Sequence, residues 1–157
     1  MDVGEENRIL LVVDDSQSSA DVVETVADRP WPSGTRVRVL SVAEPVPTEL
    51  HSRHDTLELA QQEMTKKAES LTARVTDVLR ARGLAADSAV TFGDPASQIV
   101  NEAQQWAADL IVLGADSNRS ERKETNSVAK TVVNHAPCRV EVVEQGKAAF
   151  ERRIHGK

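Results

Sequence analysis

The chain has 157 residues, a formal net charge of −6, 39% hydrophobic and 28% charged residues, and one cysteine. Such a length and balance describe one globular domain able to bury its own core, and the acidic surplus argues against non-specific nucleic-acid binding. Cys138 by itself excludes an intramolecular disulfide and a cysteine-based metal site, and no apolar run is long enough to cross a bilayer.

Residues 1–7 read as a flexible N-terminus. The start MDVGEENR has neither the basic segment nor the apolar core of a secretory signal, so a cytoplasmic location is expected. Arg8 to Asp15, RILLVVDD, is a near-continuous apolar run ending in two carboxylates, the pattern of a central parallel strand buried on both faces. Ser16 to Ser19 can cap the next helix, whose apolar positions Ala20, Val23, Val26 and Ala27 keep helical spacing until Pro30 and Pro32. Trp31, between those prolines, is expected to pack on the sheet edge. Thr35 to Val42 is a second strand, and Ala43 to His54, with Pro45 and Pro47, a loop. His51 and His54 have metal-like spacing there but no third partner.

Asp55 to Arg82 carries the longest helical pattern, with Leu57, Met64, Ala68, Leu71, Val75, Val78 and Leu79 on one face and Gly83 as the stop. Asp87 to Phe92 is a third strand. Gly93-Asp94-Pro95 opens a helix over Ala96 to Ala107, with Ile99, Val100, Ala103 and Trp106 turned inward. Asp109 to Leu113 is the fourth strand and stops at Gly114, where a backbone can turn sharply or approach a ligand.

A polar loop, Asp116 to Thr125, follows. Its Arg119, Arg122 and Lys123 interleave with Glu121 and Glu124, which reads as a solvated loop. Asn126-Ser127 can cap the last helix, which carries Val128, Val132 and Val133 and ends near His135 and Pro137. Cys138 to Val143 is the fifth strand, its cysteine expected to be buried and inert, and 145–157 a tail or short helix. Strands alternating with helices predict an α/β fold, an open five-stranded parallel sheet with helices on both faces. Ligands of such sheets bind beyond the carboxyl ends of the strands where strand order reverses. A strand, a loop and a helix N-terminus in that order also favour an anion.

Four blocks together resemble the universal stress protein family. They are VVDDS, RPWPSGTRVRVLSV, GDPASQIVNEAQQWAADLIVLGA and NSVAKTVVNHAPCRVEVV. The resemblance runs over residues 8–144 and implies a doubly wound fold of the type shared with adenine nucleotide alpha hydrolases. In the family's nucleotide-binding branch, a glycine-rich signature with a final Gly-Ser/Thr holds the ATP phosphates. Gly114 matches its first glycine, Ser117 replaces the second, and Asn126-Ser127 stands where Gly-Ser would be. Eight residues separate Ser117 from Asn126, one fewer than the signature has.

Asp14 matches the acidic residue that lies near the nucleoside, and Val42 the lining of the adenine pocket. The resemblance thus implies Asp14, Val42, Gly114, Ser117, Asn126, Ser127 and Val128 as cofactor contacts, ATP as the possible ligand, and no metal site. The degraded loop points instead to the branch that works as dimers without nucleotide, a non-enzymatic stress-response module pairing through Cys138 to Val143. RILLVVDDS also resembles the first strand of phosphorylation receivers, but Gly114 stands where their phosphoacceptor aspartate belongs. Neither a nucleic-acid nor a membrane partner is expected.

Overall fold

The computed structural model describes residues 7–14, 18–43, 54–115, 127–144 and 147–152. Strands β1 (Arg8–Val12), β2 (Arg36–Ala43), β3 (Ala85–Phe92), β4 (Leu110–Gly114) and β5 (Arg139–Glu144) are all parallel in one sheet. Between them run helices α1 (Ser18–Asp28), α2 (His54–Ala81), α3 (Pro95–Trp106) and α4 (Ser127–His135). The sheet order is β3-β2-β1-β4-β5, with one further strand, β6 (Lys147–Arg152), antiparallel outside β5.

Alternation along the strands sorts the core into two layers, because successive side chains point to opposite faces. Ile9, Leu11, Val13, Val37, Val39, Leu110, Val112 and Val143 pack under Val22 and Val26 of α1 and Val75 and Leu79 of α2. Leu10, Val12, Leu40, Val42, Ile111, Leu113, Val140 and Val142 pack under Ile99 and Ala103 of α3 and Ala129, Val132 and Val133 of α4. Both faces of β1 and β4 are covered, which is why each reads as an unbroken apolar run.

The predicted inner face of α2 needs one revision. Ala68, Val75 and Leu79 are buried, but Val78 is 43% exposed and Thr72 and Thr76 are buried. Their hydroxyls donate to carbonyls of the same helix, Thr72 to Glu69 at 3.1 Å and Thr76 to Thr72 at 2.7 Å. With the polar atom satisfied locally, the remaining methyl can face the sheet. Gly83 then takes a φ of 91°, and the Leu84 N–H bonds back to the Leu79 carbonyl at 3.0 Å, closing the helix.

Trp31 packs against the layer that the sheet shares with α1 and α2, and is tied to the C-terminal end of α1. Its indole N–H donates to the Val26 carbonyl at 2.8 Å, and the Arg29 guanidinium lies 5.2 Å from its ring centroid. The same Arg29 forks onto Glu141 of β5, a carboxylate 3% exposed within the α1/α2 layer.

The tail also departs from expectation. Six of its residues form β6, paired through Val140↔Arg152, Glu141↔Glu151 and Val142↔Phe150, with an irregularity between Val142 and Val143. The β5 edge, predicted as the surface for a second copy, is occupied by the same chain. A partner copy would have to displace β6 or pair with its outer side.

Candidate functional site

β1 and β4 are neighbours, and the connection leaving β1 runs to β2 on one side while that leaving β4 runs to β5 on the other, so strand order reverses between them, the place where open sheets of this kind hold ligands at their carboxyl edge. The registers define what meets at that edge. Val12 pairs with Leu40, Leu11 with Val112, and Val42 with Thr91. Carried past the end of β1, they set Thr91, Val42, Asp14 and Ala115 at one level across four strands. Three inter-strand spacings make that row about 14 Å wide.

Asp14 is fixed at this level by the first turn of α1. Its backbone N–H donates to Ser19 Oγ at 2.8 Å, and the Ser19 hydroxyl donates to Asp14 Oδ1 at 3.0 Å. Ser19 is buried at 9% exposure, so a hydroxyl anticipated as a helix cap serves the carboxylate. Sequence reading named Ser16 to Ser19 as cap candidates and did not connect them to Asp14; the five-residue separation across the turn was the available signal. One side chain thus fixes both the main chain and the carboxylate orientation at the end of the central strand.

Val42 is 5% exposed and joins Ala115, at 9%, in the layer under α3 and α4. Gly114 is buried and pairs with Val143, and the Ala115 N–H continues that ladder to the Val143 carbonyl at 2.8 Å. Ala115, one residue beyond the predicted glycine, brings its side chain onto the Val42 face. The backbone of α4 begins at Ser127, and the half-buried Val128 packs against the core of this layer. Ser117 and Asn126, with Asp15, His51 and the charges from Arg119 to Glu124, lie outside the described residues, as does the side chain of Ser127. The structure therefore brings Asp14, Val42 and the end of β4 together.

The third strand adds a group that sequence reading did not single out. Thr91, opposite Val42, is half-buried, but its hydroxyl is fully buried without a hydrogen-bond partner. The alternation of DSAVTF beside β2 was the available signal for its face.

Other flagged residues are accounted for elsewhere. His135 Nδ1 lies 3.0 Å from the Thr131 carbonyl, within its own helix. The Cys138 thiol is pushed up to about 11, chiefly by burial and further by nearby Asp109, with Arg139 opposing. Trp106 lies between two guanidinium groups at the opposite edge, 4.8 Å from Arg38 and 5.9 Å from Arg8. Arg38 in turn bridges Asp87 and Glu102, which raises its pKa. No group of three or more potential metal ligands occurs among the described residues, and no helix there is long and apolar enough to cross a membrane.

Strand order and helix placement define a doubly wound α/β protein whose strand order reverses between β1 and β4. The family model described as the universal stress protein family matches residues 6–144, and the chain belongs to that family. A universal stress protein of Methanothermobacter thermautotrophicus is 37% identical over 51 residues, covering 32% of this chain and 35% of that protein. The chain thus matches about a third of that relative's length. Among solved structures, the universal stress protein UspA from Lactobacillus plantarum is 25% identical, with a TM-score of 0.70 and coverage of 87% of this chain and 96% of that one. The universal stress protein from Archaeoglobus fulgidus in complex with dAMP is 20% identical, with a TM-score of 0.59 and coverage of 87% and 96%.

Proposed function

We propose that this chain is a non-enzymatic stress-response module that takes an adenosine monophosphate at the carboxyl edge of β1, β2 and β4. The observation that carries this reading is Asp14, held at both its main chain and its carboxylate by Ser19, level with Val42 at the point where strand order reverses. A carboxylate fixed there is placed to accept from the hydroxyls of a ribose, with the apolar Val42 beside it for the base. The fold tolerates such a ligand, since the Archaeoglobus relative holds dAMP.

The loop favours one phosphate over three. Ser117 and Asn126 stand where glycines would let the backbone approach phosphate closely, and the segment is one residue short. ATP is accordingly the weaker ligand in this reading. Asp14 is engaged by Ser19 as a positioned acceptor, which suits ligand sensing better than proton abstraction.

The test is a thermal melt with AMP and with Mg-ATP. A ligand at about a hundred times its dissociation constant stabilises by about 2.7 kcal/mol, a rise of roughly 5–10 °C for a domain of this size. AMP is expected to raise the midpoint saturably at lower concentration than ATP, with no phosphate released from ATP. An unchanged midpoint in millimolar AMP refutes the nucleotide reading.

A second reading, action through a homodimer, has its own observation. Among the described residues β6 is the edge strand of the sheet, and an open edge favours pairing with another strand. The homodimer is proposed at this end of the sheet, through β6 or by its displacement from β5. Sedimentation at micromolar concentration decides it: a monomer excludes this reading.

A further inference from the structure

We propose that Thr91 is a nucleobase-reading residue, its hydroxyl hydrogen-bonding the polar edge of the purine when an adenosine nucleotide occupies the carboxyl edge of the sheet. This rests on the nucleotide reading above and assigns a residue of β3 to its far end.

Thr91 Oγ1 is the buried side-chain polar atom among the described residues that has no hydrogen-bond partner, whereas the hydroxyl of Ser19 is satisfied by Asp14, that of Thr35 by the Pro32 carbonyl, and those of Thr72 and Thr76 by their own helix. A buried hydroxyl without a partner is unfavourable, and native structures rarely leave one except where a water, an ion or a ligand completes it. Thr91 is also placed for a ligand. It is the cross-strand partner of Val42, so their side chains share a face, and it lies one residue before the end of β3 at the carboxyl edge.

The order across the sheet gives the hydroxyl its role. From the N-terminus of α4, which follows β4 in the chain, through Asp14 at the end of β1 and Val42 on β2, the next position outward is Thr91 on β3. A nucleotide with its phosphate toward α4 and its ribose at Asp14 lays its base over Val42 and points the base's polar edge at Thr91. Val42 supplies an apolar surface and no side-chain hydrogen bond, so Thr91 Oγ1 is the next side-chain polar atom along the row. A hydroxyl can both donate and accept, which matches an edge carrying an amine beside a ring nitrogen.

The experiment compares Thr91→Val, which keeps the shape and removes the hydroxyl, with Thr91→Ser, which keeps the hydroxyl and removes a methyl. AMP affinity of each is measured by calorimetry beside the wild type, together with the ligand-free melting midpoint. Thr91→Val is expected to weaken AMP about fivefold, the factor for one neutral hydrogen bond of about 1 kcal/mol, without lowering the ligand-free midpoint. Thr91→Ser is expected to hold AMP within twofold of wild type. Equal affinity in Thr91→Val overturns the assignment, and so does an equal loss in both variants, which would mean packing. A wild type that binds no AMP removes the nucleotide reading and this assignment with it, whereas tight wild-type binding with an indifferent Thr91→Val removes the assignment and leaves that reading standing.

Discussion

Arg29 grips Glu141 with two parallel bonds, Nη1 to Oε1 at 2.9 Å and Nη2 to Oε2 at 2.6 Å, joining the segment after α1 to a strand 112 residues away. Glu141 occupies a position on β5 facing the α1/α2 layer, where its neighbour Val143 is wholly buried in apolar surroundings. A carboxylate in such a place is tolerated because the guanidinium fork satisfies both oxygens.

Removing only the cation should therefore cost more than removing both charges. Arg29→Met leaves Glu141 buried and unpaired, and with Arg29 34% exposed the loss falls to about 2–3 kcal/mol, below the value for a fully buried pair. Arg29→Met with Glu141→Leu should recover most of it. Urea denaturation of the two single variants and the double variant gives the coupling directly. Additive losses would mean the fork does not stabilise the fold.

The Cys138 thiol gives a pH signature. Pushed from 9.0 up to about 11, it should alkylate with iodoacetamide at pH 8 about a hundredfold more slowly than a free cysteine, following its thiolate fraction. The sign for stability follows from the same shift. Because the folded protein holds the proton more tightly, the contribution is complete below pH 9 and is lost as pH rises from about 9 to about 11. A thiol that reacts at pH 8 as fast in the native protein as in urea contradicts this.

How far the sequence disclosed the fold depended on how much each element relies on its own residues. β1 and β4 were legible because burial on both faces demands continuous apolar runs, and α3 because Asp94 and Pro95 mark its start: Asp94 Oδ2 accepts from the Ser97 N–H at 3.1 Å. The inner face of α2 was only partly so, since threonines that bond their own helix look polar in sequence and behave as apolar in the structure. β6 gave little signal: KAAFER mixes charge with small residues, and its strand state follows from the open edge of β5.

The site divides in the same way. Asp14 and Gly114 could be picked out as positions at strand ends and Val42 through the family resemblance, while Ser19 and Thr91 are placed by partners on other elements. Only the sheet registers and the chain path reveal those partners.

Ser19 makes a claim that affinity and stability can separate. Ser19→Ala removes the bond to Asp14 Oδ1 and the acceptor for the Asp14 N–H, leaving the carboxylate in place without its Ser19 contact. The expected result is AMP binding weakened about three- to tenfold, with folding stability lower by about 1 kcal/mol. Asp14→Ala should weaken AMP at least as much. Calorimetry with all three proteins measures the order. If Ser19→Ala binds AMP like the wild type, Asp14 does not need its Ser19 contact to meet the ligand.

The last prediction concerns the β5 edge. Ending the chain after Glu144 removes β6 and uncovers the outer side of β5, from Arg139 to Glu144, whose Val140, Val142 and Val143 are buried in the full chain. A strand with apolar side chains and an unpaired backbone ladder is a template for another strand, and the nearest identical template is a second β5. Truncation should strengthen self-association by at least tenfold relative to the full chain, read by sedimentation across a concentration series. Adding back a peptide of the Lys147–Arg152 segment should reverse it, because the peptide restores the antiparallel partner that β6 provides in the intact protein. An association constant unchanged by truncation would place any dimer interface away from this edge and leave β6 a purely local cover.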